Sequence, residues 1–170
     1  MNLLFLIGMP GVGKSYWAQK IAHHYQYDCI DLDLEIEKKL QMPIAELFTS
    51  YGEEVFRKYE HQILLELLQN VYQHTVIACG GGTPCYNDNM RILKSKGLVL
   101  YLKAPINIIL SQLQKSEIQR PLLTNTDIEQ RLKQLLQERE RTYLQADIVI
   151  EYKDMQLDTI GKILSRYKLP

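Results

Sequence analysis

Residues 8 to 15 read GMPGVGKS, and their setting restricts the fold more than any other stretch of the chain. The motif fits G-x-x-x-x-G-K-[ST], with the apolar run LLFLI before it and the helical pattern SYWAQKIAHHY after it. A strand feeding through a glycine loop into a helix is the arrangement in which backbone N–H groups turn inward around a β-phosphate. Lys14 then reaches the β- and γ-phosphates, the Ser15 hydroxyl is placed to ligate Mg²⁺, and the helix N-terminus adds its partial positive charge. A chance Lys-Ser after a glycine-rich turn explains neither flank. A nucleoside triphosphate is expected, and the absence of an N-K-x-D guanine-reading motif favours ATP over GTP.

The rest of the chain supports an α/β fold. Short runs rich in branched residues occur at 3–7 (LLFLI), 27–31 (YDCID), 75–79 (TVIAC), 98–102 (LVLYL) and 147–151 (DIVIE), separated by segments of helical spacing. This alternation predicts a five-stranded parallel sheet covered on both faces, a three-layer α/β/α arrangement with the loops after the strands along one edge. At 170 residues the expectation is one domain, 1–170. The polar, irregular stretch KSEIQRPLLTNT at 115–126 interrupts two helical patterns and reads as a mobile lid. Thr126 and Glu129 form a T-x-x-E capping box at the start of the following helix.

Bulk properties exclude several classes. Twenty basic and twenty acidic residues leave a formal net charge of zero, so no overall field draws the chain to nucleic acid or an anionic membrane. The longest apolar runs are about five residues against the roughly 20 a bilayer-spanning helix needs. The N-terminus runs straight into the glycine loop without a basic segment or cleavage site, so the expected location is the cytoplasm. Cys29, Cys79 and Cys85 contain no CxxC pair and are read as small buried residues of a reducing compartment.

Further residues point to a second ligand beside the nucleotide. The second strand ends in IDLDLEIE, where alternation places Asp31 and Asp33 on one side. One carboxylate can hold the hydration shell of Mg²⁺ and the other can accept a hydrogen bond from an attacking hydroxyl; alternatively Asp33 caps the helix LEIEKKL. The third strand ends in Gly80, Gly81 and Gly82, which either let a ligand approach the backbone or serve a tight turn.

In the helical segment EEVFRKYEHQILLELLQNVY, Phe56, Ile63 and Leu67 define an apolar stripe that contains Glu60, with Arg57 three residues back as its partner. In the helix from Asp127 to Ala146, Ile128, Leu132, Leu135, Leu136 and Tyr143 form a stripe with Arg139 at its centre, while Arg131 and Arg141 face outward. A buried ion pair, or a stem lying along the core, is the bland alternative for Arg139. With Arg120 in the lid, these arginines suggest a ligand that carries its own carboxylate or phosphate.

Taken in order, these residues resemble the shikimate kinase family over nearly the whole chain. The carrying motifs are GMPGVGKS, Asp31-Leu32-Asp33, GEEVFRKYE, Gly80 to Gly82, the R-P-L-L of Arg120 to Leu123, and RERTYLQAD from Arg139. The resemblance implies a P-loop kinase fold with a lid, and Mg²⁺-assisted transfer of phosphate from ATP to the 3-hydroxyl of shikimate. It implies ATP contacts from Gly11, Val12, Gly13, Lys14, Ser15, Tyr16 and Arg120, and Mg²⁺ held by Ser15 and, through water, by Asp31. Arg57 and Arg139 would bind the substrate carboxylate, Asp33 the reacting hydroxyl, and Gly80, Gly81 and Gly82 the ring hydroxyls. Lys14, Asp33 and Arg120 would be the catalytic set, with Phe48, Phe56 and Leu122 against the ring and a monomer as the working state. One departure stands out: where the family commonly stacks an arginine on adenine, seven residues before the lid arginine, this chain has Leu113. Weaker or altered ATP binding is expected there. Another small-molecule or nucleoside monophosphate kinase would share the loop and sheet but not the arginine placement, and a non-catalytic nucleotide-binding domain would usually lack one or more of Lys14, Ser15, Asp31, Asp33 and Arg120.

Overall fold

The structure, a computed structural model, describes residues 3–71, 74–115 and 127–167. Five strands form one sheet in the order β2-β3-β1-β4-β5: β1 (Leu3–Ile7), β2 (Asp28–Asp31), β3 (Thr75–Ala78), β4 (Leu98–Lys103) and β5 (Ile148–Glu151). Every pairing is parallel, with Leu3 to Leu6 alongside Thr75 to Ala78 and Leu4 to Ile7 alongside Leu98 to Tyr101. Every residue of β1 and β3 is buried, which requires cover on both faces of the sheet and explains why these strands read as unbroken apolar runs.

Among the described residues the helices are α1 (Lys14–Tyr25), α2 (Leu32–Leu40), α3 (Ile44–Asn70), α4 (Asn89–Lys96), α5 (Ile106–Gln114), α6 (Ile128–Tyr143) and α7 (Leu157–Arg166). From neighbouring β1 and β3 the chain departs in opposite directions, to β2 on one side and to β4 on the other. A crevice therefore opens at the carboxyl ends of these two strands, where the phosphate loop and the glycine run both lie.

Several local expectations are corrected. The strand carrying the aspartates ends at Asp31 and α2 begins at Leu32, so Asp33 rides a helical turn and not the same face of a strand. The capping role considered for Asp33 belongs to Asp31, whose carboxylate accepts from the Asp33 main-chain N–H at 3.1 Å. Thr126 lies outside the described residues, and α6 is capped by Asp127, which accepts from the Glu129 N–H at 3.0 Å. Ile128 is 41% exposed, because the first turn of α6 stands clear of the core that buries Leu132 and Leu135. Of the cysteines Cys79 is buried and Cys85 half-buried, but Cys29 is exposed because β2 is an edge strand. Finally, α3 starts at Ile44, well before the segment read as helical, and is interrupted at Gly52, whose φ of 78° departs from helical geometry.

Candidate active site

The phosphate loop takes its shape from glycines with positive φ at Gly8, Gly11 and Gly13, a region that side-chain-bearing residues seldom enter. Lys14, at the first turn of α1, donates from Nζ to the carbonyls of Gly8 and Met9, both at 3.0 Å, so its ammonium lies within the loop it serves. Ser15 Oγ donates to Asp31 Oδ2 at 2.5 Å, which joins the start of α1 to the end of β2. Leu113, on α5, packs directly over Gly11: a Cβ built at Gly11 would sit 2.7 Å from Leu113 Cγ. Leu113 thus covers the loop itself.

Across the crevice, α3 contributes an arginine fixed on every nitrogen. Arg57 Nη1 donates to Glu60 Oε2 at 2.7 Å, while Nε and Nη2 donate to Glu53 Oε1 at 3.2 and 3.0 Å. Its guanidinium lies 4.9 Å from the Phe56 ring centroid and 4.5 Å from that of Tyr86. Burial works against the Arg57 charge, yet Glu60 and then Glu53 hold its pKa above the ordinary arginine value. Both Arg57 and Glu60 are buried, although the spacing places only Glu60 inside the apolar stripe and Arg57 on the adjoining face.

Arg139, on α6, is only 3% exposed and presents the opposite case. Its Nη1 has no hydrogen-bond partner, and no carboxylate pairs with it among the described residues. The ion pair considered for this residue has no counterpart among the described residues. One turn further on, the buried Tyr143 hydroxyl donates to the Gly81 carbonyl at 2.5 Å and tethers α6 to the glycine run. Burial raises the Tyr143 pKa, against the neighbouring Arg139 charge. Burial likewise raises the Cys85 pKa, opposed by Arg139, a hydrogen bond with Thr142, and Arg57.

The glycine run is crowded by the protein's own site groups. A Cβ at Gly80 would lie 2.7 Å from Asp33 Oδ1 and 3.0 Å from Glu60 Oε1, and one at Gly81 would lie 2.9 Å from the Pro10 ring. At Gly82 a Cβ would collide with the Arg57 guanidinium. Bare backbone here is what lets the aspartate of α2, the arginine of α3 and the phosphate loop converge.

One cleft of about 770 Å³ gathers the predicted residues Gly11, Gly13, Lys14, Ser15, Tyr16, Asp31, Asp33, Arg57, Gly80, Gly81, Gly82 and Arg139, with Phe48 and Phe56 on its apolar side. Val12 is buried behind the loop and faces a second cavity of about 410 Å³, which Trp17, Tyr152, Lys153 and Met155 also line. The lid expected at 115–126, with Arg120 and Leu122, falls outside the described residues apart from Lys115. Sequence reasoning missed Glu53, Tyr86 and Thr83, which act on Arg57 or Glu60, and Trp17. Tyr143 was legible only as part of an apolar stripe, and no local signal marks where its hydroxyl goes.

A G-x-x-x-x-G-K-S loop that shares one cleft with a braced arginine and with an arginine whose Nη1 is unpartnered places the chain in the P-loop kinase class. Comparison with known proteins narrows the class. The shikimate kinase family profile matches residues 10–168. A shikimate kinase of Flavobacterium johnsoniae is 41% identical over 131 residues, 76% of each chain. The structure of an Acinetobacter baumannii shikimate kinase in complex with shikimate superposes with a TM-score of 0.90 at 31% identity, covering 100% of this chain and 96% of that one. That of the Bacteroides thetaiotaomicron shikimate kinase gives 0.88 at 28% identity, covering 98% of both chains. The chain belongs to the shikimate kinase family.

Proposed function

We propose that Arg57 and Arg139 grip the carboxylate of shikimate while the phosphate loop presents ATP to its 3-hydroxyl. The chain is an ATP-dependent shikimate kinase, producing shikimate 3-phosphate and ADP on the route to chorismate and the aromatic amino acids. The observation that carries the role assignment is the buried, unpartnered Nη1 of Arg139 in the same cleft as the phosphate loop. An uncompensated guanidinium is costly to bury, and a bound carboxylate removes that cost through charge-assisted hydrogen bonds.

Asp33, whose carboxylate lies against Gly80 at the floor of the cleft, accepts a hydrogen bond from the reacting hydroxyl and orients its oxygen toward the γ-phosphorus. A loose phosphoryl-transfer transition state asks little more of a base. Lys14 stabilises the charge on the β- and γ-phosphate oxygens, and the backbone of Gly80 to Gly82 receives the ring hydroxyls. Phe48 and Phe56 cover the apolar side of the ring. Arg120, carried by the R-P-L-L motif alone, is assigned to the lid that excludes water. The adenine base occupies the second cavity against Trp17 and Tyr152, which replaces the arginine stack that Leu113 cannot provide.

Ser15 and Asp31 are the residues that would hold Mg²⁺. Ser15 would ligate the ion directly and Asp31 would hold it through water, which suits a hard cation that keeps part of its hydration shell. Among the described residues no group of three or more His, Cys, Asp or Glu gathers as an all-protein metal site, in keeping with an ion that arrives with ATP. When bound, the ion draws negative charge from the phosphate oxygens. We assign the chain to the cytoplasm as a single-domain monomer that acts on small molecules, with neither nucleic acid nor membrane as a partner.

The reading is tested by measuring ADP release from Mg·ATP with and without shikimate, with quinate and nucleoside monophosphates as controls. Turnover that depends on shikimate is expected, and its absence would overturn the assignment. Asp33→Asn should lower kcat by about 10²- to 10⁴-fold while ATP analogue binding persists. A near wild-type rate would remove Asp33 from the chemistry.

A further inference from the structure

A chain of hydrogen bonds, buried as far as Asn89, runs from Arg57 away from the cleft. Glu60 is 0% exposed, and its two carboxylate oxygens have different donors: Arg57 Nη1 to Oε2 at 2.7 Å, and Thr83 Oγ1 to Oε1 at 2.6 Å. Thr83 is also 0% exposed; its N–H donates to the Gly80 carbonyl at 3.1 Å, and its own carbonyl accepts from Asn89 Nδ2 at 2.8 Å. Since Asn89 donates through Nδ2, its Oδ1 is the acceptor facing His61 Nδ1 at 2.6 Å, so that ring nitrogen carries the proton. The same segment holds Arg57 twice more, through Asn87 Nδ2 on its main-chain carbonyl at 3.1 Å and through the Tyr86 ring.

Two donors on one carboxylate fix its rotation as well as its position. With Arg57 alone, Glu60 retains a free torsion about its last bond, and a buried oxygen is left unpaired. With Thr83 added, the carboxylate plane is set, and with it the direction of the remaining Arg57 N–H groups. A bidentate grip on a substrate carboxylate tolerates about 0.5 Å or 10–20° of misalignment before it weakens. Neither Thr83 nor Asn89 lines the cleft or the second cavity.

We infer that Thr83, backed by Asn89 and His61, is a positioning residue for the acceptor substrate, setting the aim of Arg57 through Glu60. The inference rests on the reading that Arg57 binds the shikimate carboxylate. The role belongs to the residue just after the glycine run, so one turn both clears space for the site groups and orients one of them.

The test uses Thr83→Val, which keeps the shape and removes the hydroxyl, and Thr83→Ser, which keeps the hydroxyl. Thr83→Val should raise the shikimate KM about tenfold, as expected for a lost hydrogen bond to a charged group, with the ATP KM within about twofold of wild type. Thr83→Ser should restore the shikimate KM. A shikimate KM within about twofold of wild type in Thr83→Val, or an equal rise in both KM values, overturns the inference. Should Thr83→Val fail to fold, Asn89→Ala carries the same test, with a smaller rise in the shikimate KM expected and an unchanged value contradicting the proposal. A wild-type protein without shikimate-dependent turnover would instead defeat the functional reading itself, so the two failures are distinguishable.

Discussion

The α3 and α6 walls of the cleft each bury an arginine to nearly the same depth, 6% exposed for Arg57 and 3% for Arg139, yet their electrostatic situations are opposite. Arg57 is bonded on all three nitrogens to two carboxylates, so the α3 wall carries a formal surplus of negative charge. Arg139 keeps an unpartnered nitrogen and has no acidic neighbour bonded to it among the described residues. On the proposed reading, the attraction for an anionic substrate resides chiefly on α6, while α3 supplies a fixed direction. Burial depth alone would have assigned the two arginines the same role.

The largest effect that sharpens this contrast is expected from Arg57→Ala. It leaves Glu60 buried without its cation, which should cost about 3–5 kcal/mol of folding stability by denaturant titration and also weaken shikimate binding, though less than the loss of Arg139 does. Arg139→Ala should behave differently. The substitution removes one unsatisfied donor but also a buried stem and its hydrogen bond with Tyr143, so the stability loss should be about 1–2 kcal/mol, below that of Arg57→Ala, whereas the shikimate KM should rise about 100-fold with ATP binding nearly intact. Equal damage to shikimate and ATP binding would give Arg139 a structural role, and a stability loss matching that of Arg57→Ala would erase the distinction between the walls.

A smaller effect is expected from Gly82→Ala, whose added methyl meets the Arg57 guanidinium. Overpacking at this point should cost about 1–3 kcal/mol and raise the shikimate KM by displacing Arg57, with the α6 wall untouched. An unchanged shikimate KM would mean that the aim of Arg57 matters less than its charge.

The parts legible in the sequence were those whose causes are local. The five strands were predicted to within about a residue because buried parallel strands read as apolar runs, and the phosphate loop because its backbone demands specific residues at fixed spacing. Arg57–Glu60 and Arg139 stood out because charge inside an apolar stripe needs a reason. What stayed hidden depends on distant partners. The glycine run was expected to clear space for a ligand, but its nearest neighbours are Asp33, Pro10 and Arg57, brought there from three other segments. The helical turns at Ile44–Tyr51 were missed because Gly52 interrupts the periodicity, and Asp33 was placed on a strand because nothing in IDLDLEIE marks that Asp31 already caps a helix.

The most direct test of the central claim, that two arginines of unlike character read one carboxylate, is an equilibrium titration of the ATP-free protein with shikimate and with its methyl ester. The ester keeps the ring and all three hydroxyls but has no anionic charge. The account predicts binding of the ester at least about 100-fold weaker than that of the acid; equal affinity for the two would contradict it.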